Sequence, residues 1–401
     1  MMRIVFVTDS FAKNMGYSVN TLPRYLTRLG ADVHIVTPAL APYYRREDFA
    51  TTYGQFSNSG VSAPGSVEEL DGYTLHTTEF ERLLGHVRIK GLHAKLKALQ
   101  PTIVQQQSTM GWLPLEVALM QPFLGYKFFT GNHTTASVFP LAQRESHIWE
   151  PARLKSIVTR AFPGRIVSMF SEKCYATTAD CARVARDFYG QPARIVEECP
   201  LGVDTEIFYP RVGLEAESSR RDRRDKLGVL PEELLCVYSG RFAEDKNPVV
   251  LARAVASLRA QGLPFRALFV GSGAQEDRLG EFDGSIVHPF VPFRELADWF
   301  HAADIGVWPT QESTSMLDAA ACGLPIVVND TIEALDRIDG NGLVYRLNDS
   351  DDLARVLRTL ITNEARRKLG DVGASRMASL FSWTAIARRR MTDYENAVAG
   401  R

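Results

Sequence analysis

No stretch of the chain approaches the ~18 consecutive apolar residues of a membrane-spanning helix, so a soluble protein, or at most one attached to a membrane surface, is expected. The opening "MMRIVFVTDS" has one basic residue and an apolar run too short for an export signal. A cytoplasmic location is therefore expected, at most peripheral at the inner face of the membrane. Cysteine is scarce: Cys174, Cys181, Cys199, Cys236 and Cys322 make an odd set with no CxxC pair. Reduced, buried thiols are expected rather than disulfides or a zinc site, and no metal ligand set is assigned. Charge of either sign is not in excess, with 46 basic and 47 acidic residues and a formal net charge of -1. That gives no support to nucleic acid as a partner. Low-complexity tracts and short repeats are also missing.

What is present describes a soluble globular protein of 401 residues, 45% apolar and 23% charged. Such a length exceeds one ordinary core, and two domains of about 200 residues are expected. Arg3–Thr8 is a continuous apolar run of the kind found in a buried parallel strand. A loop with Gly16 follows, then "SVNTLPRYLTRLG", where Val19, Leu22, Leu26 and Leu29 recur at helical spacing. Pro23 fits the first helical turn and Gly30 suits the C-terminal cap. "DVHIVTP" is the next strand, completing a βαβ unit. The same order returns at 235–271: "LLCVYSG" as strand, "NPVVLARAVASLRAQG" as helix, "FRALFVGSG" as strand. Two such starts predict an α/β protein of two doubly wound, Rossmann-like domains.

Residues 211–227, "RVGLEAESSRRDRRDKL", are highly charged and read as a linker or an exposed helix. The domains are placed at 1–205 and 206–383, with 384–401 as a terminal helix. Residues 38–75 are turn-rich around "FSNSGVSAPGSVEELDG" and receive no regular structure.

In open α/β sheets ligands sit at the carboxyl ends of the strands, where the loops 9–18 and 239–247 fall. The second loop carries Arg241 and Lys246 between a strand and a helix N-terminus. Backbone amides, the helix dipole and two cations together suit an anion such as a phosphate. The bland alternative is a solvated pair bonded to Glu244 and Asp245. Further on, "DIGVWP" reads as a strand and "LDAAACG" as a helix whose start carries Asp318. Between them Glu312, Ser313, Thr314 and Ser315 offer amides to phosphate and acceptors to sugar hydroxyls. A carboxylate near a helix start also has a purely structural explanation.

Seven segments, in order, resemble the retaining nucleotide-sugar glycosyltransferases of the GT-B fold, glycosyltransferase family 4. They are "CPLGVDTEIFYP", "GRFAEDKN", "FVGSGAQEDRL", "FVPFRELADWFHAADIGVWPT", "DAAACGLPIVV", "NGLVYRLNDSDDLARVL" and "FSWTAIARRRMTDYENAV". The resemblance implies two domains facing an interdomain cleft, with the terminal helix 384–401 crossing back to the first. It also implies a donor site that needs no bound metal or cofactor. Gly240, Arg241 and Lys246 would hold the donor diphosphate, and Thr314 and Ser315 would meet its phosphates with their amides. Glu312 would bond the donor sugar and Asp318 the ribose. Phe290 and Val291 would lie beside the base, though core packing explains apolar residues equally well.

The family's E-x7-E is here Glu312-x5-Asp318, so ungapped counting places Thr310 where the first Glu belongs. From the first domain, Gly16 of "KNMGYS" would approach the phosphates, where the family usually has two adjacent glycines. His133 of "FFTGNHTTAS" would orient the donor sugar and stabilise charge at the reacting carbon. The activity so implied is retaining hexosyl transfer from a UDP- or GDP-sugar to an acceptor hydroxyl, in glycan, polysaccharide or glycolipid synthesis. The acceptor would be a sugar or a lipid-linked group. The alternative is a catalytically weakened nucleotide-sugar-binding partner subunit of the same fold. Two basic segments, "HVRIKGLHAKLKALQP" and "PARLKSIVTRAFPGR", could form amphipathic helices at an anionic membrane, or plain solvated faces.

Overall fold

The computed structural model describes residues 1–13, 15–42, 44, 60–83, 86–136, 139–142, 151–310, 313–332 and 334–400. The chain divides into two units. One is built from residues up to Leu201 together with Thr384 onward, the other from Gly202–Trp383.

The first unit holds β1 (Arg3–Val7), β2 (Asp32–Pro38), β3 (Val67–Leu70), β4 (Tyr73–Thr78), β5 (Phe80–Leu83), β6 (His86–Ile89), β7 (Ile103–Gln105), β8 (Lys127–Asn132), β9 (Ser171–Ala176) and β10 (Val196–Glu198). Eight of these form one sheet in the order β10-β9-β8-β7-β1-β2-β4-β3, while β5 and β6 pair separately. Every pairing in the large sheet is parallel except β3 with β4. Ile4, Val5, Phe6 and Val7 are all buried, as a strand covered on both faces requires.

Helix α1 (Ser18–Arg28) joins β1 to β2 and buries Val19, Leu22 and Leu26. Because it begins at Ser18, Pro23 lies in its second turn rather than its first and forfeits one helical hydrogen bond. Gly30 ends it at φ +88, a conformation that disfavours a side chain. The unit's other helices are α2 (Leu92–Leu99), α3 (Trp112–Leu124), α4 (Pro151–Ser156), α5 (Phe162–Phe170) and α6 (Ala179–Asp187). Leu92, Leu96, Leu113, Val117 and Val167 place α2, α3 and α5 over one shared core with β1, β7 and β8.

Two segments differ from the sequence reading. "VEELDGYT" is a hairpin, not a structureless stretch: Asp71 and Gly72 both take positive φ, the two-residue turn that matches strand twist. "HVRIKGLHAKLKALQP" is only half helical, since His86–Ile89 pairs with Phe80–Leu83 and Gly91 starts the helix α2. Alternation of Val87 and Ile89 with exposed Arg88 is a strand period, which the basic residues had masked.

The second unit holds α7 (Leu214–Lys226), β11 (Leu234–Arg241), α8 (Val249–Ala260), β12 (Phe265–Ser272), α9 (Glu276–Gly280), β13 (Ser285–His288), α10 (Leu296–Ala302), β14 (Ile305–Trp308), α11 (Thr314–Ala321), β15 (Ile326–Asn329), β16 (Gly342–Tyr345), α12 (Ser350–Arg358) and α13 (Asn363–Ser379). Its sheet is wholly parallel, in the order β13-β12-β11-β14-β15-β16. The charged segment 211–227 is not a linker. Arg220 and Arg224 reach Asp304 at 2.7 and 3.0 Å, and Asp304 also accepts the amide of Leu235. The helix α7 is thus riveted to the starts of β11 and β14 by ionic contacts instead of an apolar stripe.

The terminal helix α14 (Trp383–Ala399) belongs from Thr384 on to the first unit. Tyr394 is fully buried, donates to Gln105 at 2.9 Å and packs edge-on against Phe129. Lys173 and Tyr175 of β9 both bond Asp393, at 2.6 and 2.8 Å. These buried polar bonds fix the helix on the sheet it covers.

Candidate functional site

The direction of strand order switches between β7 and β1 in the first unit and between β11 and β14 in the second. Such switch points open crevices at the carboxyl ends of the strands. In the second unit the crevice is bordered by the loop after β11 and the loop after β14. Gly240 has φ +151, and a Cβ there would meet the Tyr238 hydroxyl at 2.8 Å. At Gly271, φ +156, a Cβ would fall 1.9 Å from the Gly240 carbonyl oxygen, so β11 and β12 meet there at a distance only glycine permits.

Arg241 ends β11 and pairs with Asp245 at 2.8 Å, its side chain largely covered. Lys246 is half-buried in the same loop, just before α8. The loop is stitched to its neighbour: Thr310 donates to the Asp245 carbonyl at 2.6 Å, and Asn329 donates to the Thr310 carbonyl at 2.7 Å. Ser315 donates to the Ser239 carbonyl at 3.2 Å and receives the Trp308 indole N–H at 3.3 Å. Thus Ser313, Thr314 and Ser315, at the start of α11, lie beside the strand that delivers Gly240 and Arg241. Asn329 was not singled out from sequence; a buried amide closing the strand "IVVND" is the only signal it leaves.

Ser313 precedes α11 in extended conformation, and its side chain makes no capping bond; its hydroxyl lies 2.9 Å from that of Ser315. The helix therefore presents its positive end to the crevice without a side-chain oxygen folded over it. Glu312 lies outside the described residues. Asp318 is in the second turn, not at the helix start, because the helix begins four residues earlier at Thr314. It is 5% exposed, and burial, then the negative charge of Asp204, pushes its carboxyl well above the usual range. Phe290 and Val291 follow β13 at the sheet edge. Val291 is buried in the core, whereas Phe290 is 45% exposed.

In the first unit, Gly16 is half-buried ahead of α1; Asn14 is outside the described residues. His133 follows β8 and is exposed. The loop around it is pinned by Asn132, which donates to the Cys181 carbonyl at 2.7 Å and accepts the Thr134 amide at 3.2 Å. Although its surface is open, His133 is crowded by protein, and desolvation followed by the charge of Arg390 lowers its pKa to about 4. Both effects favour the neutral imidazole. Among the described residues no helix is long and apolar enough to cross a membrane.

A protein-family model described as Glycosyl transferases group 1 matches residues 233–363. The D-inositol 3-phosphate glycosyltransferase of Rhodococcus erythropolis is 30% identical over 357 residues, covering 84% of this chain and 76% of the relative. The enzyme of the same name from Paenarthrobacter aurescens is 29% identical over 351 residues, covering 83% and 80%. Sucrose-phosphate synthase from Thermosynechococcus elongatus superposes with a TM-score of 0.69 over 100% of both chains at 16% identity. Anabaena HepE, solved in complex with UDP-glucose, gives 0.66 over 100% of both chains at 15% identity. The last two likenesses concern the fold.

Proposed function

This chain belongs to the group 1 glycosyltransferases, with the GT-B fold of two Rossmann-like domains, and from that premise we propose how it works. It transfers a hexose from a UDP- or GDP-sugar to an acceptor hydroxyl with retention of anomeric configuration, and it needs no metal. One observation carries the reading. Arg241 and Lys246 share a loop that is bonded, through Thr310 and Asp245, to the loop opening α11.

The diphosphate binds across the amides of Thr314 and Ser315, with Arg241 and Lys246 on its oxygens. The Arg241–Asp245 pair holds the guanidinium in place until the diphosphate takes over as its partner. Asp318 bonds the ribose hydroxyls, Phe290 flanks the base, and Glu312 bonds the hexose. During reaction the bond from the anomeric carbon to the diphosphate breaks, and a bond from that carbon to the acceptor oxygen forms on the same face. The acceptor's proton passes to the departing diphosphate. Fixed cations meet the growing charge without reorganising, which is the largest contribution such a site makes. Neutral His133 orients the hexose by hydrogen bonding rather than by exchanging a proton.

Incubation with UDP-glucose, UDP-N-acetylglucosamine and GDP-mannose should release free nucleotide from one of them, accelerated by the right acceptor. The acceptor panel should include a cyclitol phosphate, since the relatives carry that name. No release from any donor, with any acceptor, contradicts the reading. Peripheral contact with the cytoplasmic face of a membrane is supported by exposed Leu119, Phe123, Phe162 and Met169 on α3 and α5, and by exposed Lys97, Lys155 and Arg165 on α2, α4 and α5 of the same unit. Sedimentation with phosphatidylglycerol vesicles should fall in a Phe123→Ser, Phe162→Ser variant; equal sedimentation would remove this element.

A further inference from the structure

Among the described residues, four other than glycine take positive φ: Asp71 and Gln100 in the first unit, Asn247 and Asn348 in the second. The first two have local explanations, a hairpin turn and the end of α2. The other two lie 101 residues apart and are bonded to each other, the Asn247 side-chain amide donating to the Asn348 amide oxygen at 2.9 Å. Left-handed backbone is disfavoured for a residue with a Cβ, and asparagine bears it better than most. Backbone strain of this kind persists where the surroundings over-determine a functional geometry. Here it stands beside Lys246.

The backbone at Lys246 is held from both sides. Its own amide and that of Asn247 both donate to the Ala243 carbonyl, at 3.0 and 2.8 Å, closing one helical turn. Asn247, at φ +42, ends that turn as a left-handed cap, and Pro248 after it disfavours the right-handed alternative. One residue before Lys246, the Asp245 carbonyl accepts the Thr310 hydroxyl; one residue after it, Asn247 reaches Asn348. The two anchors are joined to each other, because the buried Tyr345 hydroxyl donates to the Pro309 carbonyl at 2.7 Å. Three hydrogen bonds therefore close a circuit: Thr310 to Asp245, Tyr345 to Pro309, and Asn247 to Asn348.

Asn348 is itself on a braced turn. The Leu347 amide donates to the Asp330 carboxylate at 3.0 Å, and Asp349 caps α12 by accepting the amides of Asp351 and Asp352. Its strand, β16, is at the sheet edge and three places from β11, so the contact is no by-product of strand pairing.

We propose that Asn348, acting through Asn247, is a positioning residue for Lys246, and that this clasp holds the ammonium where it meets the donor diphosphate. The assignment rests on the transferase reading above and adds to it a residue that touches no part of the donor. With the clasp cut, Lys246 is tied on one side only, and its flexible stem samples positions that miss the phosphate oxygens. The bond is exposed, so the effect is several-fold and not a loss of function.

Calorimetry of UDP and of GDP binding to the full chain tests this with glycine variants, because glycine keeps the left-handed backbone and removes only the side-chain bond. Asn247→Gly and Asn348→Gly should each weaken the tighter-bound nucleotide by about fivefold, the scale of one net hydrogen bond. The double variant should also lose about fivefold, where independent effects would multiply to about 25-fold. In a Lys246→Ala background Asn348→Gly should weaken binding no further, whereas a residue that merely supports the fold would weaken it in either background. Unchanged affinity in Asn348→Gly, multiplied losses in the double variant, or an equal loss in the Lys246→Ala background would overturn the proposal and leave the donor site standing. Binding of neither nucleotide by the wild-type chain would strike the donor-site reading, and the clasp with it.

Discussion

The two units place their crevices at equivalent switch points, yet finish them differently. In the second unit the border is cross-tied: Thr310 to Asp245, Asn329 to Thr310, Ser315 to Ser239, and Arg241 to Asp245. In the first unit the border is a cavity with an orphaned buried amide on Gln106 and an open indole on Trp112. A bonded border that carries Arg241 and Lys246 suits a diphosphate, whose geometry every nucleotide sugar shares. The first unit's border offers instead amide groups, the Asp9 carboxylate, an aromatic surface and the Arg160 guanidinium, with no comparable cross-ties among the described residues of its lining. On the proposed mechanism, preorganisation is concentrated where charge develops.

The largest test of that contrast removes the cations. Arg241→Ala and Lys246→Ala should each lower kcat/KM for nucleotide release by about 100-fold or more, the scale of losing one preorganised stabilising group. Losses below about threefold would make the two borders functionally alike and break the comparison.

Next in size is a structural test of the bonded side. Gly271→Ala places a methyl into the Gly240 carbonyl at a backbone angle that side chains avoid, and should cost about 3 kcal/mol or more. Urea denaturation followed by tryptophan fluorescence would show the lowered midpoint. An unchanged midpoint would mean that the close crossing of β11 and β12 is not what shapes the loop carrying Arg241.

A smaller effect sharpens the electrostatics. The Asp318 carboxyl has a raised pKa in the folded chain, so above about pH 4 the unfolded chain loses a proton that the folded one keeps. Stability therefore falls as pH climbs from that point toward the raised value. Asp318→Asn should remove this decline. The gain at pH 8 should be about 1.4 kcal/mol for every tenfold by which folding weakens the acid, with no gain near pH 4. Thermal melts across that range that run parallel for both proteins would show that Asp318 is ionised.

The smallest expected effect concerns His133. With its pKa lowered to about 4, it contributes no step to kcat/KM between pH 6 and 8. An inflection near pH 6.5 that His133→Asn abolishes would show a titrating base in the first unit and redraw the contrast.

The second unit was the more legible in sequence. Its strands are continuous apolar runs, and the loop "GRFAEDKN" carries both of its cations within eight consecutive residues. The stitching was not legible, because Thr310, Asn329 and Ser315 act through backbone carbonyls brought together by parallel pairing of strands distant in sequence. The first unit hid more. Asp71-Gly72 was a readable hairpin turn passed over inside a polar stretch, and the basic residues of 86–101 concealed a strand. Its cavity joins residues 9, 86, 106, 112 and 160, which no local pattern connects. Helix α7 departs from the usual rule, since its arginines and not an apolar stripe anchor it, at Asp304.

Phosphorus NMR of UDP titrated with the protein tests the division of labour most directly, because it reads the diphosphate itself. Both phosphate resonances should shift and broaden with wild-type protein and with Trp112→Ala, and should stay at their free positions with an Arg241→Ala, Lys246→Ala variant at the same concentration. Resonances that still shift with the double variant, or that stop shifting with Trp112→Ala, would contradict the assignment of the diphosphate to the second unit.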